Sequence, residues 1–347
     1  MGITFDRMYA NLKSKLRDTV ADEELRLKVE MAVEINRLKE ERNALILVHN
    51  YIEPSLYYSI ADYVGDSLEL SRRAASADKD VIVFCGVKFM AETAKILNPT
   101  RTVLLPAPKA GCSLADSITA EDVRNLKRMF PGVPVVTYVN TYADVKAESD
   151  ICCTSGNAVS VVKSLGSQRV IFLPDEYLAR NIAQQTGKRI IFPTVGSESA
   201  PDDNEADYQM IGWRGRCEVH EQFTPEDIRE VRQQHPEVAV LTHPECSPEV
   251  AAASDFVGST SAMVKYVERT QAPYYLILTE SAMGDNIAAA YPEKNILRLR
   301  CIRCPHMEQT TMEGVLDALQ NNRYIIEVPE EIRIRAFKAV ERMIAIG

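Results

Sequence analysis

Three cysteines, three hydroxyl residues and a set of strand-end polar residues recur along this chain in one order. The plainest copy is Leu241 to Ser261. There an apolar run ends in His243-Pro244-Glu245, and Asp255 and Gly258-Ser259-Thr260 follow. A second copy reads Val135-Val136, Tyr138-Val139-Asn140, Asp150 and Thr154-Ser155. The first in the chain reads Leu45 to Val48, His49-Asn50-Tyr51, Asp62 and Asp66-Ser67. In each, an Asp stands five residues before the last hydroxyl, and a polar residue closes the apolar run 12 or 13 residues before that Asp. Each copy leads on to one cysteine: Cys112, Cys217 and Cys304, about 45, 62 and 44 residues past the hydroxyl.

These residue types suggest a definite chemistry. A polar residue just after a parallel strand lies at the carboxyl end of the sheet, where α/β proteins place ligands. His49, Tyr138 and His243 hold that position. Ser67 has the residue type of an N-cap, ahead of a helix expected over Leu68 to Ala75. Three equivalent hydroxyls, Ser67, Ser155 and Thr260, meeting at one axis would cradle an anion at helix starts. The cysteines number eight, and in a cytosolic chain of this size they point to metal or redox chemistry more than to a disulfide framework. Structural zinc takes four ligands, often from C-x-x-C pairs, and Cys301 with Cys304 is one such pair. Three single thiols from three equivalent loops suit a 4Fe-4S cluster with one iron left open as a Lewis acid. Cys85 and Cys152 follow apolar strand-like residues and read as small core residues.

The elements that must position these groups follow from the hydrophobic pattern. Residues 3 to 42 read as helix, Ala44 to Val48 as the first strand, and Val81 to Phe84, Arg169 to Leu173 and Tyr274 to Leu278 as later buried strands. A repeat of roughly a hundred residues suits small domains, not a solenoid. The fold class expected is α/β: three similar αβα three-layer sandwich domains with parallel sheets about a pseudo-threefold axis. The domains would span 1-112, 113-217 and 218-324, with a terminal helix within 325-347 packing back on the first. The middle repeat is longer by about 17 residues, a loop-sized excess. The extra segment, near 194-212, carries Glu198, Asp202, Asp203, Glu205 and Asp207 without Lys or Arg, and reads as an acidic surface loop.

Composition narrows the partners. The chain has 347 residues, 46% of them apolar, and a net charge of −9. That balance, with no basic stripe, argues against nucleic acid. No apolar run approaches the ~20 residues of a membrane span, and the N-terminus has no signal-peptide core. A cytoplasmic protein acting on small molecules is expected, anionic ones included.

The motifs together resemble the quinolinate synthase family. They are Gly65-Asp66-Ser67-Leu68-Glu69, the run Gly86 to Leu97, Gly111-Cys112-Ser113, Tyr138-Val139-Asn140-Thr141, Thr154-Ser155, Gly215 to His220, His243-Pro244-Glu245, Gly258-Ser259-Thr260 and Cys304-Pro305-His306-Met307. The resemblance spans about residues 43 to 313 and implies the threefold fold already read from the repeats. It implies condensation of iminoaspartate with dihydroxyacetone phosphate to quinolinate, phosphate and two waters, for NAD biosynthesis. A 4Fe-4S cluster on Cys112, Cys217 and Cys304 is implied as well. So is substrate binding by His49, Ser67, Tyr138, Val139, Asn140, Ser155, His243, Pro244, Glu245 and Thr260. His49, Tyr51, His243 and Glu245 are the candidate proton carriers. An aspartate oxidase or dehydrogenase would supply iminoaspartate. The segment Thr279 to Gly284 is longer than the family's usual loop and takes no role from the resemblance. A Cys301–Cys304 disulfide would remove a cluster ligand under oxidation. Two alternatives stay open: another 4Fe-4S hydro-lyase acting on a small dicarboxylate, and a three-cysteine redox or metal sensor.

Overall fold

In the computed structural model, which describes residues 4–16, 20–193 and 208–347, three parallel sheets repeat one strand order. The first holds β1 (Ala44–His49), β2 (Tyr63–Gly65), β3 (Val81–Cys85) and β4 (Thr102–Leu104), in the order β2-β1-β3-β4. The second holds β5 (Val135–Tyr138), β6 (Ile151–Cys153), β7 (Val170–Leu173), β8 (Ile190–Ile191) and β9 (Met210–Gly212), in the order β6-β5-β7-β9-β8. The third holds β10 (Val238–Thr242), β11 (Phe256–Val257), β12 (Tyr274–Leu278) and β13 (Ile296–Leu297), in the order β11-β10-β12-β13. Helices connect the strands, as parallel pairing requires. The central strands β1, β3, β5 and β7 are buried along their whole length. That is why they read as continuous apolar runs instead of alternating ones.

The repeated aspartate does the same work in each sheet. Asp62 accepts the Ile46 N–H, Asp150 the Val135 N–H and Asp255 the Val240 N–H, each at 2.8 Å. The aspartates' own N–H groups return bonds to the same residues' carbonyls at 3.0, 3.0 and 2.9 Å. Each edge strand is thereby locked in register on the strand whose end carries a site residue.

Four expectations need correction. The N-terminal helix is two, Phe5–Leu16 and Asp22–Glu41, with Ala21 extended between them. Folding back lets both apolar stripes (Met8, Leu12 and Leu16; Leu25, Val29, Ala32 and Ile35) be buried. The N-cap of the helix Ser67–Ala75 is Asp66, whose carboxylate accepts the Glu69 N–H at 3.0 Å, so Ser67 is its first residue and not its cap. Thr279 to Gly284 is not a loop, since Glu280 caps the helix Ser281–Ala290. Of the acidic insertion, 194–207 lie outside the described residues, while Met210–Gly212 is a sheet strand. Its apolar residues pair with β7, the place that β4 and β13 fill in the other sheets.

The terminal helix Glu330–Ile344 lies in a seam. It packs on helices Lys88–Leu97 and Ala143–Ala147 and on β6. Arg72 holds its end through the carbonyls of Ile344 and Ile346, each at 3.0 Å. No described helix is long and apolar enough to cross a membrane.

Candidate active site

The strand ends of the three sheets face a common cavity lined by His49, Tyr51, Ser67, Tyr138, Asn140, Ser155, His243, Glu245 and Thr260, with the three cysteines. It offers about 70 Å³ to the centres of water-sized spheres. At ~10–15 Å³ per water, that is room for a small substrate. Among the described lining residues there is no lysine or arginine. An anion would therefore be held by neutral donors and helix starts.

His49 ends β1 and His243 directly follows β10, and the two are built alike. The Nδ1 of His49 accepts the Tyr51 N–H at 3.2 Å, and the Nδ1 of His243 accepts the Glu245 N–H at 3.4 Å. A ring nitrogen that accepts cannot carry the proton, so each ring presents Nε2–H. That of His243 donates to Ser155 Oγ at 3.2 Å. Burial pushes the two imidazoles down to about 4 for His49 and about 3 for His243, against the pull of Glu245 on both. Both are neutral donors at ordinary pH.

Glu245 is the buried charge of the site, 3% exposed. Burial pushes its pKa up, but His220 and His243 beside it more than offset that and hold it below the usual carboxylate range. Its Oε2 lies 2.6 Å from His220 Nδ1, and its Oε1 accepts the Asn140 amide at 3.3 Å. His220 Nε2 lies 2.8 Å from Thr279 Oγ1, which also bonds the Tyr51 hydroxyl. With Nδ1–H on the carboxylate, Nε2 accepts from Thr279, and Thr279 accepts from Tyr51. A continuous chain thus joins the Tyr51 phenol to the Glu245 carboxylate. Burial pushes the phenols of Tyr51 and Tyr138 well above their ordinary range, with Glu245 adding to it.

Two of the three hydroxyls, Ser67 and Thr260, sit where helices begin, whereas Ser155 lies in the turn ahead of Asn157, which precedes the helix Ala158–Ser164. Thr260 opens the helix Thr260–Arg269, whose cap is Ser259, and its Oγ1 accepts the Asn50 amide at 2.9 Å. Because Asp66 and Ser259 do the capping, Ser67 and Thr260 are released for the cavity. The Oδ1 of Asn140 is buried without a partner, an acceptor suited to a substrate N–H or O–H.

The thiols fit an iron–sulfur cluster. Burial pushes Cys112 up to about 12, Cys304 up to about 11 and Cys217 well above its ordinary range, so none ionises unaided. Each sulfur nevertheless faces two backbone N–H groups, from residues two and three further on. These are Leu114 and Ala115, Val219 and His220, and His306 and Met307. Such donor pairs favour a thiolate once a cation offsets the desolvation. Cys85, Cys152 and Cys153 are fully buried core residues, and Cys301 is exposed. All eight thiols are unpaired.

Val139 and Pro244, expected at the substrate, are not among the lining residues. Their carbonyls turn outward to Lys146 and Asn181. Three residues not singled out join the site: His220, Thr279 and Asn50. His220 had a signal, since it stands in the Cys217 motif as C-x-x-H. With Cys217 and Glu245 it also forms a trio whose donor atoms lie within 4.8 Å of one another. Thr279 had none, because it meets His220 and Tyr51 only in three dimensions.

A buried carboxylate, two neutral imidazoles, tyrosines and three thiols around one small cavity define an enzyme of small-molecule chemistry, built on a triplicated α/β scaffold. The comparisons specify it further. The model of the quinolinate synthetase A protein family matches residues 33–345. Quinolinate synthase 2 of Mesorhizobium japonicum is 55% identical over 309 residues, covering 89% of each chain. Quinolinate synthase 1 of the same organism is 51% identical, covering 97% of this chain and 98% of its own. The quinolinate synthase of Xylella fastidiosa is 50% identical, covering 96% and 92%. The chain belongs to the quinolinate synthase family.

Proposed function

We propose that this cavity condenses iminoaspartate with dihydroxyacetone phosphate to give quinolinate, phosphate and two waters. The observation that supports this most is the hydrogen-bonded chain from Tyr51 through Thr279 and His220 to Glu245, which passes beside the Cys217 thiol. A condensation with two dehydrations needs repeated proton transfer in a site closed to bulk water.

Cys112, Cys217 and Cys304 are the residues that would hold a 4Fe-4S cluster. When bound, that cluster supplies an iron with an open position, a Lewis acid toward a substrate oxygen. The remaining work falls to the chain's own residues. Ser67, Ser155 and Thr260, with the helix starts at Ser67 and Thr260, bind the carboxylates or the phosphate. His49 donates from Nε2 and orients a carbonyl oxygen, while His243 holds the Ser155 hydroxyl from its own Nε2. Glu245 takes a proton from a substrate carbon or nitrogen, or gives up one that reaches it from the Tyr51 phenol through Thr279 and His220, the Tyr51 oxygen then accepting a proton released by the substrate. Tyr138 and Asn140 fix the substrate against Glu245. An aspartate-oxidising enzyme supplies the iminoaspartate.

The test is product formation by anaerobically purified protein given dihydroxyacetone phosphate and iminoaspartate generated in place from aspartate. Quinolinate appearing only with both substrates supports the reading. Dehydration of a dicarboxylate with no need for the triose phosphate would replace it with a hydro-lyase.

A further inference from the structure

The residues Tyr51, Asn140 and Glu245 occupy the same place in their three repeats, two residues beyond His49, Tyr138 and His243. The carbonyls on either side of each are clamped by one buried side chain. The Asn286 amide donates to Asn50 O at 3.1 Å and Ile52 O at 2.8 Å, bracketing Tyr51. The Asn181 amide donates to Pro244 O at 2.8 Å and Cys246 O at 3.0 Å, bracketing Glu245. The Lys146 ammonium donates to Val139 O at 2.9 Å and to Thr141 O, bracketing Asn140. Asn181 is 3% exposed, Asn286 4% and Lys146 0%.

The two amides have the same address. Each stands six residues after a helix cap, Asp175 or Glu280, on the helix that follows the third strand of its repeat. Each reaches out of its own repeat: Asn181 grips the loop after β10, and Asn286 grips the loop after β1. In the first repeat the corresponding residue is Thr93, which bonds the Phe89 carbonyl of its own helix at 2.7 Å. Threonine is too short to bridge two carbonyls, and Lys146 performs that task from within the second repeat. A tight turn that projects a side chain inward turns its two flanking carbonyls outward. Buried carbonyls need donors, and a single two-donor group satisfies both while holding the turn's pitch.

We infer that Asn181, Asn286 and Lys146 are positioning residues. They set the direction of Glu245, Tyr51 and Asn140, and the two amides make the site's alignment depend on how neighbouring repeats dock. The consequence for turnover rests on the enzymatic reading above, whereas the mechanical part does not.

The test pairs Asn181→Leu, near-isosteric and without donors, with Asp150→Ala, which removes the strand brace at the end of β5 away from Tyr138. Two readouts are taken: amide exchange across 243–248, and quinolinate turnover well below either melting temperature. In Asn181→Leu, exchange at Glu245 and Cys246 rises and kcat falls roughly 10- to 100-fold, as for a misaligned group, with KM changed by no more than about threefold. Asp150→Ala loses stability and keeps both wild-type exchange in that segment and wild-type kcat. Unchanged exchange and unchanged kcat in Asn181→Leu would overturn the inference. So would an equal loss of kcat in Asp150→Ala, since the effect would then be general destabilisation. Raised exchange in Asn181→Leu, with a wild type that makes no quinolinate, would uphold the clamp and overturn the functional reading. Should Asn181→Leu not fold, Asn181→Ser, which keeps one donor, carries the same test.

Discussion

His220 Nδ1 lies 2.6 Å from Glu245 Oε2, and the same nitrogen lies 3.1 Å from Cys217 Sγ. The imidazole therefore joins the buried carboxylate to the thiol end of the cavity. Replacing the carboxylate removes the acceptor of the proton chain and leaves its shape. Glu245→Gln should lower kcat by roughly 10²- to 10⁴-fold, the usual worth of a positioned acid–base group. Steady-state rates and iron content check this together; a full-iron variant within twofold of wild type removes Glu245 from the proton path.

The hydroxyls separate by their partners. Ser67 Oγ makes no hydrogen bond to a described residue, whereas Thr260 Oγ1 accepts the Asn50 amide. Ser67→Ala should leave the unfolding midpoint unchanged and raise KM roughly 10- to 100-fold, the worth of one hydrogen bond to a charged group at ~1.5–3 kcal/mol. Thr260→Ala should raise KM and also cost about 1 kcal/mol of stability. Denaturant unfolding beside substrate titration distinguishes the two, and a Ser67→Ala protein with wild-type KM excludes that hydroxyl from the anion site.

Acid should weaken the fold. His49 and His243 have folded-state values of about 4 and about 3, below the ~6.5 of an unfolded chain. The unfolded state therefore binds more protons as pH falls from about 6.5 toward 4. Stability is lost in that window at up to ~1.4 kcal/mol per pH unit for each group. Glu245, held below its usual range, adds loss in the same direction at lower pH. Melting temperatures across that range should fall, and His49→Gln should flatten the slope; parallel curves for the two proteins would contradict the assignment.

The aspartate braces predict a purely structural effect. Asp150 accepts the Val135 N–H at 2.8 Å at the far end of β5 from the cavity. Asp150→Ala should cost about 1–3 kcal/mol, the worth of a charge-assisted bond, and spare kcat. Chemical unfolding and turnover together decide it.

The sequence carried the triplication because Asp62, Asp150 and Asp255 sit at one spacing from a hydroxyl, and that spacing is set by local strand geometry. The strand-end residues were legible for the same reason. What stayed hidden is contact between repeats. Thr279 meets Tyr51 and His220, and Asn181 meets the loop of Glu245, only after the sheets assemble, so no spacing marks them. Ser67 has the residue type of a cap, yet Asp66 beside it has the geometry, which frees the serine for the site. The break between the first two helices followed from a demand of packing, since both stripes had to reach one core.

Iron and acid-labile sulfide, measured with visible absorbance on anaerobically purified protein, test the central claim most directly. The wild type should be brown with about four irons and four sulfides per chain, and Cys112→Ala, Cys217→Ala and Cys304→Ala should each lose the cluster while Cys85→Ala and Cys152→Ala keep it. A colourless wild type that holds a single zinc after anaerobic reconstitution would contradict the account.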